Sequence, residues 1–288
     1  NSLKRTWIIY INSLKGTRKG VFFYGKGRYI MNNTRNIGCS VTDRIKAVKQ
    51  PRGGYINPST FAVEELSNEI NELYPNENIH GSLIGLAVDY MTRFMTGTVL
   101  EDAFQISLKG AKNINQERTA TQLLSEIKGL DDISIISAVK LCGFDVCYRV
   151  GIFRYKPIAE INPDRDTIDN IRTMIERSII FFKKYGPKIL DGFTFEGGYT
   201  DIVCFGDGDF TTSDTLWDFK VSKTKPKKEH TLQLLIYWRM GLHSIYPEFT
   251  DIKYLGIYNP RKNIVYRLNV NCIPDEVIRE VEEVVIGY

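Results

Sequence analysis

The sequence predicts a mixed α/β protein, a β-sheet flanked by helices, with an N-terminal extension and a helical insertion. Residues 99–150 carry mostly helical patterning, and residues 188–221 read as short strands. A helix, two more strands and a terminal helix follow. A chain of 288 residues, 43% hydrophobic and 25% charged, has the composition of a folded protein of one or two domains. Wholesale disorder and collagen-like repeats are thereby excluded.

In chain order, residues 1–58 read as short strands and turns, punctuated by Gly25-Lys26-Gly27 and Pro51-Arg52-Gly53-Gly54. A helix is expected from about Ser59 to Leu73, capped by Ser59 or Thr60 and stopped by Pro75. A second is expected from about Ser82 to Met95, with Gly97 just past its end. Helical residues 99–150 should break near Gly110, Gly129 and Gly143, and Pro157 and Pro163 mark a loop before a helix over Asp166–Tyr185. Strands are expected at Lys188–Phe195, Tyr199–Phe205 and Thr215–Val221, with turns at Gly197-Gly198 and Gly206-Asp207-Gly208-Asp209. A helix over His230–Leu242 precedes strands Ile252–Tyr258 and Ile264–Val270, which pair across Asn259–Lys262. The terminal helix begins near Pro274. Residues 1–75 are read as an N-terminal accessory segment, and residues 76–288 as the core, carrying the insertion at about 99–164.

The balance of 38 Lys+Arg against 34 Asp+Glu is close to neutral and by itself selects no partner. Five cysteines, Cys39, Cys142, Cys147, Cys204 and Cys272, form no CxxC pair, and His80, His230 and His243 are dispersed, so a zinc site is not expected. A reduced, cytoplasmic setting is expected. Apolar runs such as Trp7–Ile11 are too short to span a membrane or serve as a signal-peptide core.

The chemistry concentrates between Gly198 and Tyr237. Side chains alternate faces along a strand, so Asp218 and Lys220 project together, as does Asp201 with Tyr199 and Val203 on the strand before. If those strands are neighbours, two carboxylates and a lysine converge. Paired carboxylates repel unless a cation lies between them, and oxygen ligands with few histidines suit Mg²⁺ or Mn²⁺. Such an ion with a lysine beside it is the equipment for phosphodiester hydrolysis.

Gly198-x-x-Asp201, then Asp218-x-Lys220, then Gln233-x-x-x-Tyr237 on a following helix resembles the PD-(D/E)XK nuclease superfamily, and within it the RecB-like exonuclease branch. The resemblance implies a restriction-endonuclease-like core and a Mg²⁺- or Mn²⁺-dependent deoxyribonuclease. It implies that Asp201 and Asp218 bind the metal with the Phe219 carbonyl, that Lys220 is the catalytic lysine, and that Gln233 and Tyr237 assist. The family's upstream helix motif, often Gly followed four residues later by His, reads Gly85 to Asp89 here, which makes Asp89 a further candidate ligand.

Simpler readings stand beside these. Asp218 and Lys220 could form an ion pair on a solvated strand, and Asp89 could pair with Arg93 one helical turn on. Asp207-Gly208-Asp209 with Asp214 reads as a polar hairpin turn, and Cys204 as core packing. Lys223, Lys225, Lys227 and Lys228 follow the catalytic strand and are candidate contacts to DNA phosphates, or simply a solvated loop. His230 reads as a helix-start residue. A catalytically silent nucleic-acid-binding protein is the alternative function, and an enzyme acting on another phosphate-bearing substrate ranks last.

Overall fold

In the computed structural model of the chain, residues 38–66 and 72–288 are described. The organising element is β6 (Thr215–Phe219), whose Thr-Leu-Trp-Asp-Phe sequence is buried over four of its five residues, as befits a central strand. It pairs antiparallel with β5 (Asp207–Thr211) and parallel with β7 (Tyr254–Asn259). β7 forms a hairpin with β8 (Ile264–Asn269), β2 (Ala62–Glu65) takes the free edge of β8, and β3 (Asp191–Thr194) takes that of β5. The resulting six-stranded mixed sheet has the order β2-β8-β7-β6-β5-β3. A short parallel pair, β1 (Cys39–Ser40) with β4 (Val203–Phe205), stands apart from it.

Parallel neighbours need a crossover, and the helix over Lys228–Leu242 makes the one between β6 and β7. In chain order the helices are α1 (Val41–Ala47), α2 (Gly81–Met95), α3 (Leu100–Ala103), α4 (Gln105–Lys112), α5 (Glu117–Glu126), α6 (Asp132–Cys142), α7 (Asp145–Arg149), α8 (Arg165–Tyr185), α9 (Lys228–Leu242) and α10 (Asp275–Glu280). Strand periodicity divides the sheet. Leu216, Leu255 and Ile257 join the core under α9, together with Val41 and Ile45 of α1. Trp217 and Tyr258 join Phe181 of α8, which stacks on Tyr258 at 4.0 Å and meets Trp217 edge-on at 4.8 Å between ring centroids. A third core lies among α2, α6 and α8, where Ile84, Ala87, Val88 and Met91 form the buried stripe of α2. No described helix is long and apolar enough to cross a membrane.

The helices expected near Ser82, Asp166, His230 and Pro274 are present, as are the two C-terminal strands. The helix expected over Ser59–Leu73 is not. Residues 58–60 form one 3₁₀ turn and Ala62–Glu65 extend as β2, because β8 offers an open edge; residues 67–71 lie outside the described set. Residues 38–66, assigned to the accessory segment, are therefore woven into the sheet and its core, and α1 is a helix where strands and turns were expected. The part of that segment before residue 38 lies outside the described residues. Gly110 does not break a helix but sits within α4: a β-carbon there would come within 2.0 Å of the Phe144 carbonyl oxygen, so glycine lets α4 and α7 close together.

The largest departure concerns Gly206–Asp209. Read as a turn, most of it is instead the start of β5, and the chain reverses at Thr212–Asp214, where the Thr212 N–H donates to the Thr215 carbonyl at 2.9 Å. The expected strand Tyr199–Phe205 shrinks to β4, which pairs with β1 and not with β6.

Candidate active site

The β5–β6 register pairs Phe210 with Trp217 and Thr211 with Leu216. One step further along the same register sets Asp209 across from Asp218, and both then project from the α9 face. Asp218 is buried, 2% exposed. Its Oδ1 lies 2.8 Å from Lys220 Nζ, while its Oδ2 is buried without a hydrogen-bond partner. Asp209 Oδ2 accepts the Phe219 backbone N–H at 2.7 Å, and the Lys220 N–H donates to the Tyr258 carbonyl at 2.9 Å, fixing the strand beyond the carboxylate.

Two carboxylates face one ammonium here, and the electrostatics reflect that excess. Burial, and then the neighbouring Asp218 carboxylate, push Asp209 up to about 7, against the pull of Lys220. Burial works against the charge on Lys220, but Asp218 and Asp209 together outweigh it and hold the ammonium above its ordinary range. Burial raises Tyr237, and both carboxylates add to the rise, so its hydroxyl shares their surroundings. Burial lowers His230, although Asp218 favours its charged form. Asp89 on α2 is pushed up to about 6, first by burial; Arg93 opposes this and Asp191 adds to it.

Among the expected site residues, the structure brings Asp218, Lys220, Gln233 and Tyr237 together. Gln233 Nε2 donates to Tyr237 Oη at 2.9 Å across one turn of α9, and the Tyr237 ring packs at a tilt against Phe195. The Phe219 main chain runs between these side chains. Asp89 stands on the helix whose Gly85 approaches Val221, and its charge reaches Asp209. The ion pair of Asp89 with Arg93, the alternative to metal ligation, gives way to Arg93 with Asp191 at 3.1 Å, and Lys188 also bonds Asp191, at 2.7 Å. Arg93, Lys188 and Asp191, three of the four charged groups acting on Asp89, line a cavity of about 590 Å³. Lys223, Lys225 and Lys227 are exposed beyond β6, with Lys228 half-buried at the start of α9. His230 caps that helix start, its Nδ1 accepting from the Lys227 N–H at 3.3 Å, and it lines a small pocket with Lys220 and Asn259.

Asp201 is not brought to this cluster. It is exposed in the turn leading into β4, and β4 runs beside β1. Asp209, and not Asp201, is the carboxylate beside Asp218, because the hairpin turns later than expected. Gly198 in the same motif has a packing role: a β-carbon there would come within 2.1 Å of the Met240 carbonyl oxygen near the end of α9. Asp209 was hidden by turn chemistry: Gly206-Asp207-Gly208-Asp209 is the stronger local turn signal, and only a reversal at the weaker Thr212-Ser213-Asp214 brings the two aspartates together.

Among the described residues no group of three or more His, Cys, Asp or Glu side chains is arranged to hold a metal ion. What β5 and β6 offer is two facing carboxylates, one with an unpartnered buried oxygen, beside a single ammonium. That donor set fits an oxygen-preferring divalent cation, which would satisfy the oxygen and relieve the repulsion. Comparison with protein-family models, curated proteins and solved structures returns no match, so a functional reading rests on this geometry.

Proposed function

We propose that the chain is a metal-dependent nuclease that hydrolyses DNA phosphodiester bonds, with a restriction-endonuclease-like core of the PD-(D/E)XK type. The observation that carries this reading is the register of Asp209 with Asp218 on a hairpin whose second strand continues into Lys220. Asp209 and Asp218 would hold Mg²⁺ or Mn²⁺, with the Phe219 carbonyl adjacent and Asp89 as a more distant acidic neighbour. When bound, such an ion neutralises charge developing on the phosphate and lowers the pKa of water. Lys220, steadied by Asp218, presents its ammonium to the scissile phosphate and orients the attacking water. Gln233 holds the Tyr237 hydroxyl toward the carboxylates. Lys223, Lys225 and Lys227 offer exposed cations to the backbone next to the cleft.

The test is purified protein with Mg²⁺ or Mn²⁺ on end-labelled linear and closed circular DNA, duplex and single-stranded, with RNA in parallel. Metal-dependent shortening of linear DNA is expected, and resistance of circles would fit the exonuclease assignment. Binding without cutting at every metal concentration would replace the reading with that of a catalytically silent nucleic-acid-binding protein.

A further inference from the structure

The helical insertion ends in an apolar tip that the proposed chemistry does not use. Val150, Ile152 and Phe153 are 65%, 54% and 97% exposed, and Tyr148 is 46% exposed. The tip is nevertheless built. Val150 and Gly151 N–H groups both donate to the Val146 carbonyl, at 2.9 and 2.8 Å, and Gly151 turns the chain at φ 120°. Residues 152–154 then form a 3₁₀ turn, and Tyr155 stacks on buried Phe144 at 5.8 Å. A phenyl ring this exposed, set among other apolar groups on a hydrogen-bonded turn, is the kind of patch that interaction surfaces carry.

The charges carried along the tip itself are cationic. Between Val146 and Ala159 the charged residues are Arg149, Arg154 and Lys156, with no carboxylate. Lys109 Nζ from α4 lies 5.7 Å from the Tyr148 ring centroid. The base of the tip is tied to the proposed site: Arg149 pairs with Asp145 at 3.5 Å and donates to Tyr90 Oη at 3.4 Å, and Tyr90 adjoins Asp89 on α2. Exposed rings between phosphate-seeking cations are the composition of a stacking platform, and bases present π-faces to it only when unpaired.

We propose that this tip binds single-stranded DNA, a base stacking on Phe153 while Arg154, Lys156 and Lys109 engage the flanking phosphates. The proposal rests on the nuclease reading for its substrate and adds a preference for unpaired ends. The test is fluorescence anisotropy with a labelled oligo-dT 20-mer and a blunt duplex of equal length, in EDTA so that nothing is cut. Phe153→Ala should weaken single-strand binding roughly 5- to 100-fold, the range for losing one stacked base, and weaken duplex binding much less. Phe153→Trp should retain it. Because Phe153 packs on nothing, the melting temperature should not move. Unchanged oligo-dT affinity in Phe153→Ala overturns the proposal, as does Phe153-dependent sedimentation with phosphatidylserine vesicles in place of oligonucleotide binding. Absence of cutting by wild-type protein that still binds oligo-dT through Phe153 overturns the nuclease reading alone.

Discussion

Asp209 and Asp218 lie together just past the Phe210–Trp217 pair that ends the β5–β6 ladder, where the Asp209 carboxylate accepts the Phe219 N–H at 2.7 Å. Everything acidic about the site follows from that relationship. It makes Asp209, and not the better-looking Asp201, the partner whose removal should matter. Asp209→Asn is expected to lower DNA cleavage by at least the ~10- to 100-fold that disturbing a metal's support costs. Asp201→Asn should cleave as wild type. Gel assays at saturating Mg²⁺ decide it, and the opposite ranking would return the site to the turn before β4.

Lys220→Ala and Asp218→Ala should each abolish detectable cleavage, a loss of about 10²–10⁴-fold for the lysine if it assists proton movement. Circular dichroism should show both still folded. Retained Mg²⁺-dependent activity in Lys220→Ala would exclude the mechanism.

Stability should depend on pH with an unusual sign. Asp209 and Asp89 are raised from 3.8 to about 7 and about 6, so between about pH 4 and 7 the folded state holds protons that the unfolded chain has released. Their contribution to stability is fully present below their unfolded values and is lost as the pH rises through those folded values. In EDTA, the melting temperature of wild-type protein should fall from pH 5 to 7.5 more steeply than that of Asp209→Asn. Mg²⁺ should restore part of the loss at pH 7.5 in wild type but not in the variant. A parallel pair of curves would show that Asp209 titrates normally.

Gly198→Ala tests the packing role given to the first motif glycine. The added methyl meets the Met240 carbonyl, so α9 must shift, at about 1–3 kcal/mol of overpacking strain. Chemical denaturation should show that loss. Unchanged stability would mean that the Gly198 turn has room that its backbone contacts deny.

Much of this was legible in the sequence. Helices α2, α8 and α9 announce themselves through periodic apolar faces and breakers, and Asp218, Lys220, Gln233 and Tyr237 are held at fixed local spacing, two along a strand or four along a helix. Local spacing survives errors elsewhere. Asp209 and β2 depend on tertiary choices: which of two polar stretches turns the chain, and which segment fills the edge of β8. Alanine, valine and glutamates at residues 62–65 suit a helix in isolation, and a vacant strand edge decides otherwise.

The Thr212–Asp214 reversal carries a consequence beyond its own three residues. Side chains alternate along β5, so one residue added on the strand side of that turn would exchange Asp209 with Phe210 across the sheet. A phenyl ring would then face Lys220, and a carboxylate would enter the aromatic layer under α8. The site is thus a matter of register: an odd insertion turns Asp209 to the other face, and an insertion of two keeps its face but slides it from Asp218 to the level of Lys220, with no residue of the site altered.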